Sequence, residues 1–134
     1  MLVVLGGCET GTEVAGVSRA VVSKAGDTVV VTATLDCMLA RGRRRGDGNC
    51  DADNSRVCVE ARWYTAATPR PTASTPSVAR SNICEVLPTI RGSSLALRFP
   101  QLPAEAATVL VFTTTQDQVK DEAAQRGVEA TRAP

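Results

Sequence analysis

Thr28-Val29-Val30-Val31-Thr32-Ala33-Thr34-Leu35-Asp36 is the stretch on which the fold turns. It is rich in β-branched residues, and Val29, Val31, Ala33 and Leu35 share one parity, so an extended chain presents one apolar face. Working outward, Arg56–Ala66 repeats the pattern with Val57, Val59, Ala61 and Trp63 on one side. Ser94–Phe99 repeats it with Leu95, Leu97 and Phe99, and Ala107–Thr115 reads as a final strong strand. Asn82–Leu87 is a shorter strand, and Val14–Lys24 has the mixed pattern of an edge strand. Ala25-Gly26-Asp27 and Pro100-Gln101-Leu102-Pro103 are turn signals. Thr68–Ser81, with Pro69, Pro71 and Pro76, cannot hold regular structure. Asp117 is placed to N-cap a short helix over Gln118–Arg126, stopped by Gly127, and the last seven residues are expected to fray.

Strands separated by turns, with almost no helix, predict an all-β antiparallel β-sandwich carrying a short C-terminal helix. The run Ser94–Thr115 resembles the closing half of immunoglobulin-like and fibronectin-like modules, at the level of architecture. An immunoglobulin domain proper pairs two inter-sheet cysteines across a central Trp, and Trp63 follows Cys37 too distantly for that spacing. The organisation that follows is a leader and tether segment over 1–12, a sandwich over 13–117, and a helix and tail over 118–134.

The chain has 134 residues, the length of one domain, and a formal net charge of +1, which creates no overall field for nucleic acid or an anionic surface. No apolar run approaches the roughly 18 residues of a spanning helix. The aromatic residues are Trp63, Tyr64, Phe99 and Phe112, poor material for stacking on bases. The chain has no His, which removes Ser-His-Asp and Cys-His catalysis and the commonest metal ligand. Cysteine intervals of 13, 8 and 26 residues between Cys37, Cys50, Cys58 and Cys84 fit no zinc pattern. Glu60 and Glu85 lie on expected strands and could approach as a carboxylate pair, although solvent-facing glutamates are the ordinary reading. A non-catalytic protein is expected.

Leu5-Gly6-Gly7-Cys8 resembles the lipobox of bacterial lipoproteins: a Leu three residues before the Cys, two small residues, then the thiol. The resemblance implies that Cys8 is lipidated and becomes the N-terminus, in the envelope of a bacterium. The following Glu9-Thr10-Gly11-Thr12 is polar and suits a flexible tether. Met1–Gly7 carries no Lys or Arg, so it reads as the end of a longer leader; alternatively Leu2-Val3-Val4-Leu5 is a short first strand.

Setting Cys8 aside leaves four cysteines, which in a small exported domain predict two disulfides. Parity chooses between the connectivities. Cys37 continues the core-facing row of its strand, whereas Cys58 points outward beside Glu60 and Arg62, as Cys84 does between Ile83 and Glu85. The expected pairs are therefore Cys37–Cys50 and Cys58–Cys84.

The hydrophilic loop between the first two clear strands concentrates charge. Arg41, Arg43, Arg44 and Arg45 form a basic cluster, and Asp47, Asn49, Asp51 and Asp53 alternate oxygen-bearing side chains. That alternation resembles the start of a calcium loop, but Ala52 replaces the turn Gly and Cys58 stands in place of the bidentate Glu. A solvated acidic loop is the ordinary reading, with no cofactor, and bound Ca²⁺ the alternative. The arginines either pair with Asp47, Asp51 and Asp53 or grip phosphate of anionic lipid. A nucleic-acid partner is opposed by the exported address and the neighbouring carboxylates. The whole predicts an envelope lipoprotein that binds or assembles with a protein partner, held at the membrane by its lipid, with Arg41–Ser55 as first contact surface and Thr68–Ser81 as second. The rival is a secreted structural subunit that polymerises through strand edges, exchanging residues 1–8 as a strand.

Overall fold

A computed structural model describes residues 13–40, 50, 55–71 and 74–133. They form eight strands: β1 (Glu13–Ala25), β2 (Thr28–Leu39), β3 (Ser55–Thr65), β4 (Ala79–Leu87), β5 (Ser94–Phe99), β6 (Ala106–Thr113), β7 (Val128–Glu129) and β8 (Thr131–Arg132). One sheet has the order β5-β2-β1-β8 and the other β4-β3-β6-β7, all pairs antiparallel except β1 with β8. With β1 to β7 read as A, B, C, C′, E, F and G, the sheets are A-B-E and C′-C-F-G, the arrangement of an immunoglobulin-type sandwich. The expected all-β sandwich is the fold observed.

Alternation explains the layers. Val29, Val31, Ala33 and Leu35 of β2 are buried and face Val57, Val59, Ala61 and Trp63 of β3 across the interior. Leu95, Leu97 and Phe99 of β5 and Val109 and Val111 of β6 complete the core. Trp63 meets Phe99 edge-on, with ring centroids 6.0 Å apart and planes at 82°. That contact joins β3 to β5 across the interior, toward the end of the sandwich where β2 begins.

The sheets are also joined by a polar suture at one end. Gln116 is 1% exposed, and its Oε1 accepts hydrogen bonds from Val17 N–H in β1 and Thr113 N–H in β6, each at 3.0 Å. Its Nε2 donates to the Ala124 carbonyl at 2.8 Å. Thr113 and Thr115 hydroxyls donate to the Ala15 carbonyl at 2.7 and 3.2 Å. These side chains answer the free edge of β1 beside its bulge between Val17 and Arg19, where no strand lies alongside; β8 pairs with β1 only at Val21 and Val22.

The C-terminal region corrects two expectations. In place of a helix over Gln118–Arg126 there are two 3-10 turns, Gln116–Gln118 and Ala124–Arg126, separated by residues 119–123. Val119 is buried, bridges Ala40 and packs with Val14, and Lys120 N–H donates to the Leu39 carbonyl at 2.8 Å. A nine-residue helix has little stability of its own, so burying Gln116 and Val119 outweighs it. Gly127 ends the second turn at φ +95, where any Cβ would collide with the Val111 carbonyl and Phe112 of β6. The tail expected to fray is instead strand: β7 lines β6, Ala130 N–H reaches the Val109 carbonyl at 3.1 Å, and β8 crosses to β1. Residues past 117 thus add one short strand to each sheet. The first strand gains β8 as a neighbour at Val21 and Val22 and is an edge strand over the rest of its length among the described residues.

Replacing Gln116 with Leu keeps the volume and orphans two buried N–H groups, while the Ala124 carbonyl keeps the Gly127 N–H at 3.1 Å, so we expect a loss of about 3 kcal/mol, read as a lower urea midpoint with unchanged slope.

Candidate functional site

Two described connections gather at one end of the sandwich, residues 88–93 between β4 and β5 and 114–127 between β6 and β7, and Cys50, between β2 and β3, is held at the same end by its bridge to Cys37. In immunoglobulin variable domains the corresponding B–C and F–G loops form the binding end. Here the end is built firmly. Ile90 is buried and plugs the core, Leu35 N–H donates to the Ser93 carbonyl at 2.8 Å, and Arg91 pairs with Glu13 at 3.3 Å. Asp36 accepts from the Cys37 N–H at 2.7 Å just before the chain leaves β2.

Both disulfides form as parity predicts. Cys37 bonds Cys50, with Cα atoms 5.5 Å apart, and so anchors the charged loop to the end of β2. Cys37 is half-buried against the core and Cys50 is buried. Cys58 bonds Cys84 directly across β3 and β4 on the outer face, with Cα atoms 4.0 Å apart. Both bridges lie within or beside one sheet, unlike the inter-sheet disulfide of antibodies. Arg41, Arg43, Arg44, Arg45, Asp47, Asn49, Asp51 and Asp53 lie outside the described residues, as does Cys8. Among the described residues no group of three or more Cys, Asp or Glu gathers as a metal site.

Glu60 and Glu85 are not brought together. Glu60 stands opposite Asn82 on the outer face, whereas Glu85 stands opposite the core-facing Val57. Register explains this: the two glutamates have opposite parity on their strands. Glu60 is instead spent on Arg62 Nε at 2.6 Å, and that hydrogen bond holds the Arg62 guanidinium above its ordinary pKa against the opposing effect of burial.

Arg62 leads to a feature that the strand pattern did not single out. Its guanidinium lies 5.1 Å from the centre of the Phe112 ring on the outer face of the β4-β3-β6-β7 sheet. Arg62, Tyr64, Leu110 and Phe112 floor an open groove of about 480 Å³, walled by Pro71 on one side and Arg126 on the other. Two of the four aromatic residues are therefore placed outside the inter-sheet core. The signal was present in Val109-Leu110-Val111-Phe112, apolar at both parities, which marks a strand covered on both faces. The groove joins the Pro-rich loop after β3 to the turns after β6, so the second expected contact surface borders it.

No family model, no curated protein and no solved structure matches the chain.

The two bridges predict different sensitivities. Converting Cys58 and Cys84 together to Ala releases a 26-residue separation and should cost about 3 kcal/mol in urea unfolding, with Cys37–Cys50 still detectable by peptide mapping.

Proposed function

We propose that this protein is a non-catalytic lipoprotein of a bacterial envelope, anchored through Cys8, periplasmic or surface-exposed, that binds or assembles with a protein partner. The observation that carries the reading is cysteine arithmetic. Of five cysteines, four pair within the sandwich, leaving Cys8 outside both bridges and inside Leu5-Gly6-Gly7-Cys8. Paired body cysteines suit an oxidising compartment, and a fifth with its own sequence context suits a separate chemistry. Binding without catalysis is supported by the composition, which has no His. It is also supported by a rigid sandwich that carries its charged loop at one end and an aromatic-floored groove on one face.

The first contact surface is the Cys37–Cys50-anchored segment containing Arg41, Arg43, Arg44 and Arg45; the second is the groove with the adjoining Pro-rich loop. A guanidinium already held over Phe112 by Glu60 is pre-oriented, which lowers the ordering cost of docking.

Intact mass of the protein from native membranes tests the reading. The expected chain begins at Cys8, is heavier by acyl chains, and is lighter by four hydrogens from two disulfides. A chain that keeps Met1–Gly7 with five free thiols overturns anchor and compartment together.

A further inference from the structure

β4 pairs with β3 on one side and, among the described residues, with no strand on the other. Which of its backbone groups face that open side follows from β3. The Cys58 carbonyl accepts from Thr114 N–H on the β6 side at 3.1 Å, and the Trp63 carbonyl accepts from Val78 N–H on the β4 side at 2.9 Å. In a strand the N–H and C=O of one residue point the same way, and successive residues alternate. Cys58, Glu60 and Arg62 therefore bond toward β6, and their opposites Cys84, Asn82 and Arg80 aim N–H and C=O away from β3. Val86, opposite Arg56, does the same.

Native proteins blunt such edges with Pro, Lys, a bulge or short length. β4 has nine residues, none of them Pro or Lys, in unbroken register with β3, and the Cys58–Cys84 bridge ties the two strands together. Val86 is 54% exposed along it.

The two charges of β4 lie on opposite faces. Arg80 is directly opposite Arg62, whose ion pair is with Glu60, and Arg80 has no ion pair among the described residues. Like charges so placed repel. Glu85 has the other parity, opposite Val57, and is exposed at the rim without an ion pair among the described residues. A second copy of β4 paired across a two-fold axis cannot answer these charges. Setting Arg80 against Glu85 of the second copy lays even-numbered residues, with free backbone groups, against odd-numbered ones, whose groups are spent on β3. Self-pairing loses either the hydrogen bonds or the charge match.

We propose that the β4 edge binds an extended segment of a partner protein as an added antiparallel strand. That segment carries an apolar residue opposite Val86, a basic residue next to it opposite Glu85, and an acidic residue five positions further on opposite Arg80. A spacing of five puts its two charges on opposite faces, as Arg80 and Glu85 are on β4. Main-chain hydrogen bonds supply affinity, and the charges fix register and direction. The edge is separate from the Cys37–Cys50 segment and needs no lipid at Cys8, so its failure would leave the anchor reading standing.

Full-length protein is titrated with the capped peptide valine-lysine-threonine-valine-threonine-threonine-glutamate and followed by amide hydrogen exchange. The Arg80, Asn82, Cys84 and Val86 amides should slow by about tenfold or more at saturation, while those of Ser81, Ile83 and Glu85 stay as they were. Exchanging the lysine and glutamate of the peptide should weaken binding about tenfold, the worth of two cross-strand pairs turned repulsive. The double variant Arg80→Glu, Glu85→Arg should reverse that preference with an unchanged melting profile. Methylating the backbone nitrogens of the peptide's first and second threonines should abolish binding. Four results would each overturn the proposal: no alternating protection, equal affinity for the two charge orders, binding that survives methylation, or protection of the same amides by the protein's own concentration without peptide.

Discussion

Gln116 holds the molecule's two sheets to a common register. Its carboxamide accepts from β1 and β6 together and donates into the turn that follows, while Thr113 and Thr115 close on the Ala15 carbonyl. Hydrophobic burial drives the sheets together but is indifferent to small slides between them. Directional bonds between buried groups are not indifferent, because a slide of one residue would strand several donors at once. The suture also explains how β1 tolerates a bulge and a long unpaired edge without inviting another strand. Everything downstream of β6, from the turn at Val119 to the crossing at Ala130, is positioned by that one anchoring point.

The strands and the disulfides were legible because they obey a period-two rule. Once Val57, Val59 and Trp63 define an inner face, Cys58 must point out, and a bridge to the outward Cys84 follows. The sequence around Gln116 was not legible, since a polar residue in a polar stretch gives no sign that it will be buried. The same stretch reads as a helix by its caps and charges, and tertiary burial of Gln116 and Val119 overrides that local preference. Val128 to Arg132 were misread for a related reason. Two-residue strands carry no alternation to detect, and their pairing is decided by edges left open elsewhere. The groove could have been found, because an apolar residue at every position of Val109–Phe112 leaves Leu110 and Phe112 needing cover.

The placement of the disulfides divides labour with the core. An antibody domain locks its sheets together covalently across the centre; here Trp63 and Phe99 meet edge-on between the sheets, and each bridge lies within or beside one sheet. Cys37–Cys50 ties Cys50 to the end of β2, and Cys58–Cys84 stiffens the strand pair that backs the groove. Covalent reinforcement is thus concentrated beside the surfaces proposed for a partner, while the interior relies on packing alone.

β1 starts at the end that carries the loops, and this fixes a geometry for a chain tethered at Cys8. Four residues, five chain steps, separate that thiol from Glu13, a reach of at most about 18 Å when fully extended. With the proposed lipid on Cys8, so short a leash would keep the end where β1 begins close to the lipid headgroups. The nine steps from Glu13 to Val22 carry the chain about 30 Å along β1. Under the proposed anchor at Cys8, the crossing of β7 and β8 stands away from the bilayer, so the two ends of the sandwich meet different surroundings.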